Sequence, residues 1–487
     1  APISGTAGAA ASYELPLEQI EQNLHRDLPP TTLWGYGGSY PGPTIEAGVD
    51  QPVDVNWHND LRDTQGQLRT THMLPVDTCL HGPDTDGDTP RTTTHLHGGH
   101  TPTTSDGYPE NTILPGADQL YTYPNHQQAA TLWYHDHALG ITRLNVYLGL
   151  AGFYLLRDPA EAALDLPSGA YEVPLVFQDR AIGSDGALIY PATWQEDFYG
   201  DKVLVNGKVW PYLAVDRGWY RFRTLNGSNS RTFTISLSNA ASFEVIGTDG
   251  GLLPAPVTVT HLTVAPGERY DLAVNFGAYT AGSEILLENS APAPYPGTPG
   301  VGVVARVMKF VVGANSGHAA PPPGSLRPLQ TLDPAHAAVV RTLELRKSDA
   351  PCTGSIWTIN GLLWDNVTEL PVLGTTEIWR FVNRSGMAHP MHLHLSMFQI
   401  LDRQAFTVVD GNVVPTGSAV PPAPEEDGWK DTVQVNPSEI VRIIVPFADY
   451  AGRYPYHCHV LEHEDNEMMR QFETRADLVF RNGFDPP

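Results

Sequence analysis

Apolar and polar residues alternate in short runs along much of this chain. Gln51-Pro52-Val53-Asp54-Val55-Asn56-Trp57, Trp219-Tyr220-Arg221-Phe222-Arg223 and Glu439-Ile440-Val441-Arg442-Ile443-Ile444-Val445 are examples. A period near two is that of a strand with one buried face. Gly, Pro, Asn and Asp bound these runs, so each reads as a strand closed by a turn. Extended helical spacing is scarce, and a short helical or irregular segment is expected within Leu17 to Leu28. The predicted class is all-β, built from sandwiches or barrels.

Two interruptions divide the pattern. Near Arg157 to Gly169, Asp158-Pro159 follows an apolar strand. From Gly313 to Pro334 the chain holds Gly-Ala-Asn-Ser-Gly and then Pro321-Pro322-Pro323-Gly324, a linker composition. The expected units are 1–165, 166–315, a linker 316–334, and 335–487. Three blocks of about 150 residues are ordinary domain sizes. With 45 Gly and 43 Pro in 487 residues, turns are plentiful. No short solenoid-type repeat is visible.

Charge narrows the partners. The formal net charge is −25, from 54 acidic and 29 basic residues. Such a surface repels phosphate backbones and anionic lipid, so nucleic-acid and membrane-surface partners are not expected. No apolar run approaches the roughly 20 residues of a spanning helix. The opening Ala1-Pro2-Ile3-Ser4 lacks a charged, then apolar, leader and reads as a processed end or a cut boundary. An extracytoplasmic or secreted location is the expectation.

Histidine carries the chemistry. Ten of the 19 histidines fall in four clusters: His95-Leu96-His97, His135-Asp136-His137, His389-Pro390-Met391-His392-Leu393-His394, and His457-Cys458-His459 with His463. Chance would supply roughly one His-x-His at this content; four are a signal. On a strand, positions i and i+2 share a face, so each pair aims two imidazoles one way. Four converging pairs exceed the needs of one zinc and suit a cluster of several metals. Between residues 170 and 312 only His261 appears, so the middle unit reads as a scaffold without ligands. Cys458 alternates with its flanking histidines and faces the other way. With His389, His463 and Met468 it forms the two-His, one-Cys, weak-Met set of a blue-copper site. Met469 competes with Met468 for that place. Cys79 and Cys352 remain as a disulfide or as two buried thiols, and the sequence leaves both open.

In this order these motifs resemble the multicopper oxidases, nearest to the spore-coat-type laccases, with likeness to bilirubin oxidase and phenoxazinone synthase. Non-ligand stretches share the resemblance: Asn206–Tyr212, Gly247–Gly251, Ala265–Tyr270 and Gly428–Thr432. The resemblance implies three cupredoxin-like Greek-key β-sandwich domains and four copper ions. His389, Cys458 and His463 would hold a type 1 copper, with Met468 axial. His95 and His392 would hold type 2. His97, His135, His137, His394, His457 and His459 would hold the type 3 pair.

The implied activity is laccase-type: one-electron oxidation of phenolic or aromatic amine donors near His463, coupled to four-electron reduction of O2 to water. Asp106 and Glu464 match family acids and become candidate proton relays. The bland alternatives are a turn cap for Asp106 and a surface charge for Glu464. Bilirubin or aminophenol oxidation, and cuprous-ion oxidation, are the competing activities. Seven methionines without a Met-rich insertion disfavour the last. A monomer acting on small molecules is expected.

Overall fold

The computed structural model describes residues 3–4 and 11–476. Strands dominate, and the longest of the few described helices is Thr142–Leu148. No described helix is long and apolar enough to cross a membrane.

The strands form six sheets that pair into three sandwiches. One strand order recurs in all three. In the first sandwich, Ala11–Gln22 lies antiparallel to Thr31–Tyr36 and parallel to Val53–Asn59, which pairs in turn with Asp118–Tyr123. In the second, Glu172–Arg180 lies between Lys202–Val205 and the parallel Trp219–Asn226, with Arg269–Asn275 beyond. In the third, Val339–Ala350 lies between Gly354–Ile359 and the parallel Thr375–Asn383, with Glu439–Phe447 beyond. A parallel neighbour in a largely antiparallel sandwich requires a crossover between sheets, the mark of Greek-key topology. The repeat therefore exists at domain scale, where sequence alone did not display it.

Three cores fill the sandwiches. Trp34, Trp57 and Ile45 anchor the first, Phe177, Phe233 and Phe276 the second, and Trp379, Phe381 and Phe472 the third. The irregular segment expected within Leu17 to Leu28 is confined to residues 23–28, and Leu17 to Gln22 is strand. This stretch finishes a twelve-residue strand, and pairing with Tyr36–Thr31 satisfies its backbone. Irregular chain begins only after Gln22. The strand Arg306–Ser316 likewise runs through Gly313 before the Pro-rich segment starts.

Cys79 and Cys352 form a disulfide with a Cα–Cα distance of 5.6 Å. It staples a loop of the first sandwich to the third. Cys458 is free and buried.

Candidate metal centre

Strand alternation builds two sites back to back. In the third sandwich, His389–Leu393 pairs with Gly452–Cys458 so that Met391 faces Cys458 and His392 faces His457. Cys458, Met391, Tyr456 and Leu393 turn into the domain core. His392 and His457 turn outward, toward the first sandwich. There Thr94–His97 pairs with Thr131–Asp136, and His95 lies opposite His135. The imidazoles of both sandwiches meet in the space between them, all buried.

Three trios of ring nitrogens lie within ligand reach: His97, His135 and His459; His137, His394 and His457; His95, His97 and His392. In the second trio the Nε2 atoms of His137, His394 and His457 are 3.2, 3.2 and 3.3 Å apart. Three bonds of about 2 Å to one ion put ligand nitrogens roughly 3.5 Å apart. On the core side, His389, Cys458 and His463 form a separate trio. Sγ of Cys458 lies 3.5 Å from His389 Nδ1 and 3.6 Å from His463 Nδ1, with 3.2 Å between those nitrogens. Met468 is fully buried in the same core, and its carbonyl accepts from the Cys458 N–H at 2.9 Å.

The outer nitrogen of most rings is anchored, which frees the inner one. Nδ1–H of His95 donates to the Asp106 carbonyl at 2.6 Å, that of His135 to the Asp136 carbonyl at 2.8 Å, and that of His392 to the Asp431 carbonyl at 2.9 Å. Nε2 of all three is buried without a partner. His97 is reversed: Nε2–H donates to Asp431 Oδ1 at 3.0 Å and Nδ1 is the bare nitrogen. His389 Nε2–H donates to Ser385 Oγ at 2.7 Å, whose own proton goes to Asn383 Oδ1. Outer anchors of this kind orient metal-ligating imidazoles and set their tautomer. Burial, reinforced by neighbouring imidazoles, holds His95, His97, His137, His394 and His459 well below the usual imidazole range. Burial takes His135 and His389 down to about 3. Neutral rings with bare, converging nitrogens are what a metal ion requires. Without one, these buried lone pairs would be costly orphans.

Both candidate acids are buried, so neither is a surface charge. Asp106 Oδ2 accepts from His394 Nδ1–H at 2.9 Å, and burial pushes its carboxyl up to about 8. Its carbonyl holds His95, so one residue spans two ligand trios. Glu464 places one carboxylate oxygen 3.2 Å from His137 Nδ1 and the other 3.1 Å from His457 Nδ1. It sits on the short helix Leu461–Glu464, pinned on both sides. Glu462 accepts from Tyr190 Oη at 2.7 Å and Asn229 Nδ2 at 2.9 Å. Asp465 accepts from the Thr142 and Arg143 N–H groups at 3.1 and 3.0 Å and from the Arg143 guanidinium at 2.8 Å, capping the helix Thr142–Leu148 of the first sandwich.

Several residues at the site carry no sign of their role in the sequence. Asp197 Oδ1, on the loop before Gly200, is 3.6 Å from His463 Nε2, and neither atom has a hydrogen-bond partner. Burial, then the charge of Glu462, pushes Asp197 up to about 7. Trp357 lies against His463 with ring centroids 4.3 Å apart. Trp133 packs on His135 and His97 at 4.3 and 5.1 Å. Only the position of Trp133 two residues before His135, on the same strand face, could have revealed it.

Multicopper oxidase family models match residues 88–161, 189–283 and 337–477. The laccase of Bacillus subtilis (strain 168) is 43% identical over 95% of this chain and 94% of its own length. This chain belongs to the multicopper oxidase family. It is therefore a copper-dependent oxidoreductase, and its sandwiches are cupredoxin-like. The laccase of Haloferax volcanii is 39% identical, covering 96% of this chain and 82% of that one. Among solved structures, the multicopper oxidase McoA of Aquifex aeolicus superimposes with a TM-score of 0.77 at 29% identity, over 97% of this chain and all of that one. A laccase-like multicopper oxidase from Ochrobactrum sp., with oxidase activity towards lignin model compounds, superimposes at 0.79 with 27% identity, over 97% and 99%.

Proposed function

We propose that this multicopper oxidase is a laccase holding four copper ions and oxidising phenolic or aromatic amine donors at the expense of O2. His389, Cys458, His463 and Met468 would hold the type 1 ion. His95 and His392 would hold type 2. His97, His135 and His459, and His137, His394 and His457, would each hold one of the type 3 pair. Copper at these positions supplies one-electron redox at the cysteine site and four-electron reduction of O2 at the cluster.

The observation that carries the reading is the single strand turn His457-Cys458-His459. The thiolate ligand and two cluster ligands are consecutive residues, so a continuous covalent path through a single peptide unit joins the donor side to the oxygen side. His463 is fully buried, and donors approach its edge past the half-buried Asp197. The carboxylate of Asp197 suits the O–H or N–H of a phenol or aniline. On the oxygen side, Asp106 and Glu464 stand within hydrogen-bonding distance of ring nitrogens and are placed to hold and pass protons. The methionines do not favour a cuprous-ion oxidase. Met391 is spent in the third core opposite Cys458, and Met397 packs against the first core.

The reading extends to a monomer working outside the cytoplasm, without nucleic-acid or membrane partners. The Cys79–Cys352 disulfide and the charge of −25 support it. The test is O2 uptake by the copper-loaded protein with a simple methoxyphenol. Four donors consumed per O2, with no free peroxide, is the expected result. Full copper with no uptake from any phenol or aromatic amine overturns the laccase assignment.

A further inference from the structure

Three of the stretches shared with the family, Gly247–Gly251, Ala265–Tyr270 and Gly428–Thr432, supply none of the imidazoles above. Their charged side chains meet in one buried cluster. Arg269, from the middle domain, is fully buried. It donates through Nη1 to Asp431 Oδ1 at 2.7 Å and through Nη2 to Asp431 Oδ2. Its Nε donates to the Thr131 carbonyl of the first domain at 2.9 Å. Asp249 Oδ1 accepts from the Arg269 N–H at 2.8 Å, while its Oδ2 lies 3.0 Å from Lys430 Nζ. One guanidinium thus ties all three domains together.

Asp431 is where this cluster touches the metal centre. Its carboxylate holds Nε2–H of His97 and its carbonyl holds Nδ1–H of His392, so it sets the tautomer of two rings that share a trio with His95. Two glycines show how tightly the parts fit. A Cβ on Gly98, where φ is +83°, would lie 2.6 Å from Asp431 Oδ2 and 2.7 Å from Arg269 Nη2. A Cβ on Gly267 of the middle domain, where φ is +85°, would lie 2.8 Å from His459 Cδ2. The middle domain is therefore a wall of the cluster.

We propose that Arg269 is a positioning residue for His97 and His392, and so for the copper ions those two rings would hold. The inference rests on the ligand assignment above. A bidentate guanidinium fixes the plane of a carboxylate as well as its charge. Asp431 so fixed presents one oxygen to His97 and its carbonyl to His392, and the bare nitrogens of both rings keep their aim. Without the fork, the carboxylate turns: His97 loses its acceptor, and His392, still held by the main-chain carbonyl, loses the carboxylate oxygen that lies 3.5 Å from its Nδ1.

The test compares copper-loaded wild type, Arg269→Gln and Arg269→Lys by copper per chain after dialysis against a chelator, by the paramagnetic type 2 signal, and by the blue absorption of the Cys458 site. Loss of an outer anchor typically weakens metal binding about 10- to 100-fold. Arg269→Gln is expected to lose copper at chelator levels the wild type withstands, with a shifted or absent type 2 signal and the blue band kept. Arg269→Lys, a point charge without the fork, falls between. Unchanged copper content and type 2 signal in Arg269→Gln overturn the proposal. Should that variant fail to fold, Gly98→Ala presses on the same pair without altering charge. A shifted type 2 signal there supports the proposal, and an unshifted one overturns it. A fully loaded wild type with no type 2 signal overturns the ligand assignment itself, and the proposal with it.

Discussion

Replacing Cys79 and Cys352 together by serine removes a cross-link between residues 273 apart in sequence. In the chain-entropy description the unfolded state regains roughly 2.1 + 1.5R ln n cal/mol/K, about 19 for this loop, or about 5 to 6 kcal/mol at 25 °C. That is an upper bound. The loop contains a domain with its own core, and the first and third domains are joined without the disulfide by Arg143–Asp465, His81–Glu467 at 3.1 Å and Tyr108 Oη donating to Gln471 at 2.5 Å. The expected loss is about 2 to 4 kcal/mol, the usual range for a native disulfide. The assay is denaturant unfolding of oxidised, copper-loaded wild type and double variant, followed by tryptophan fluorescence, with thiols counted in denaturant. Wild type should expose one thiol, Cys458, and the variant should unfold at lower denaturant. In native buffer the variant should keep its blue absorption. Trp357, two strand positions past Ser355, is held against His463 by the domain core, and Trp194 is held independently by donating to the Glu462 carbonyl at 2.8 Å. Three thiols in the wild type, or superimposable unfolding curves, would show that no stabilising disulfide joins these two domains.

Asp197→Asn should lower kcat/KM for a phenol and raise it for an anionic donor such as hexacyanoferrate(II), because a charge beside His463 is removed; movement of both in one direction contradicts the donor-side placement. Asp465→Ala strips the buried Arg143 guanidinium of its carboxylate and the helix Thr142–Leu148 of its cap, at a cost of about 3 to 5 kcal/mol measured as an unfolding midpoint; a loss under about 1 kcal/mol would show the pair to be dispensable. His72 is buried between Asn145 and Trp34, and desolvation takes it from 6.5 to about 4. Its folded value is depressed, so its contribution is fully present above pH 6.5 and is lost as pH falls toward 4, about 3 kcal/mol in all. His72→Gln should flatten the pH dependence of stability across that window by about one proton; an unaltered slope excludes His72 as the titrating group.

The metal centre was legible because its information is local. His-x-His on a strand and a cysteine alternating between two histidines commit side chains to faces through a period of two, whatever the rest of the chain does. The opposed faces of His457–His459 and Cys458 follow from that period, as does the separation of His389 from His392. The all-β class rested on the same short-range pattern. The disulfide did not, since two thiols 273 residues apart carry no local mark of their meeting. Where the irregular segment within Leu17–Leu28 begins was not legible for a related reason. The polar positions Glu18, Gln19 and Glu21 carry no strand alternation, and only two neighbouring strands make a strand of them.

The middle domain shows most clearly what local reading omits. With one histidine among about 140 residues it reads as a scaffold. Yet function in this family needs nitrogens aimed, not merely present, and aim is set one bond further out. Asp431 holds His97 from a sequence distance of 334 residues, and Arg269 holds Asp431 from 162. An arginine in a strand beside a glycine turn is indistinguishable from a surface residue until three domains close around it. Its complete burial is what changes its meaning. A charge without access to water persists only where a partner fixes it, and here the partner holds His97 and His392 in turn. The domain that contributes no ligand therefore contributes geometry, and a search restricted to metal-binding residue types would pass over it.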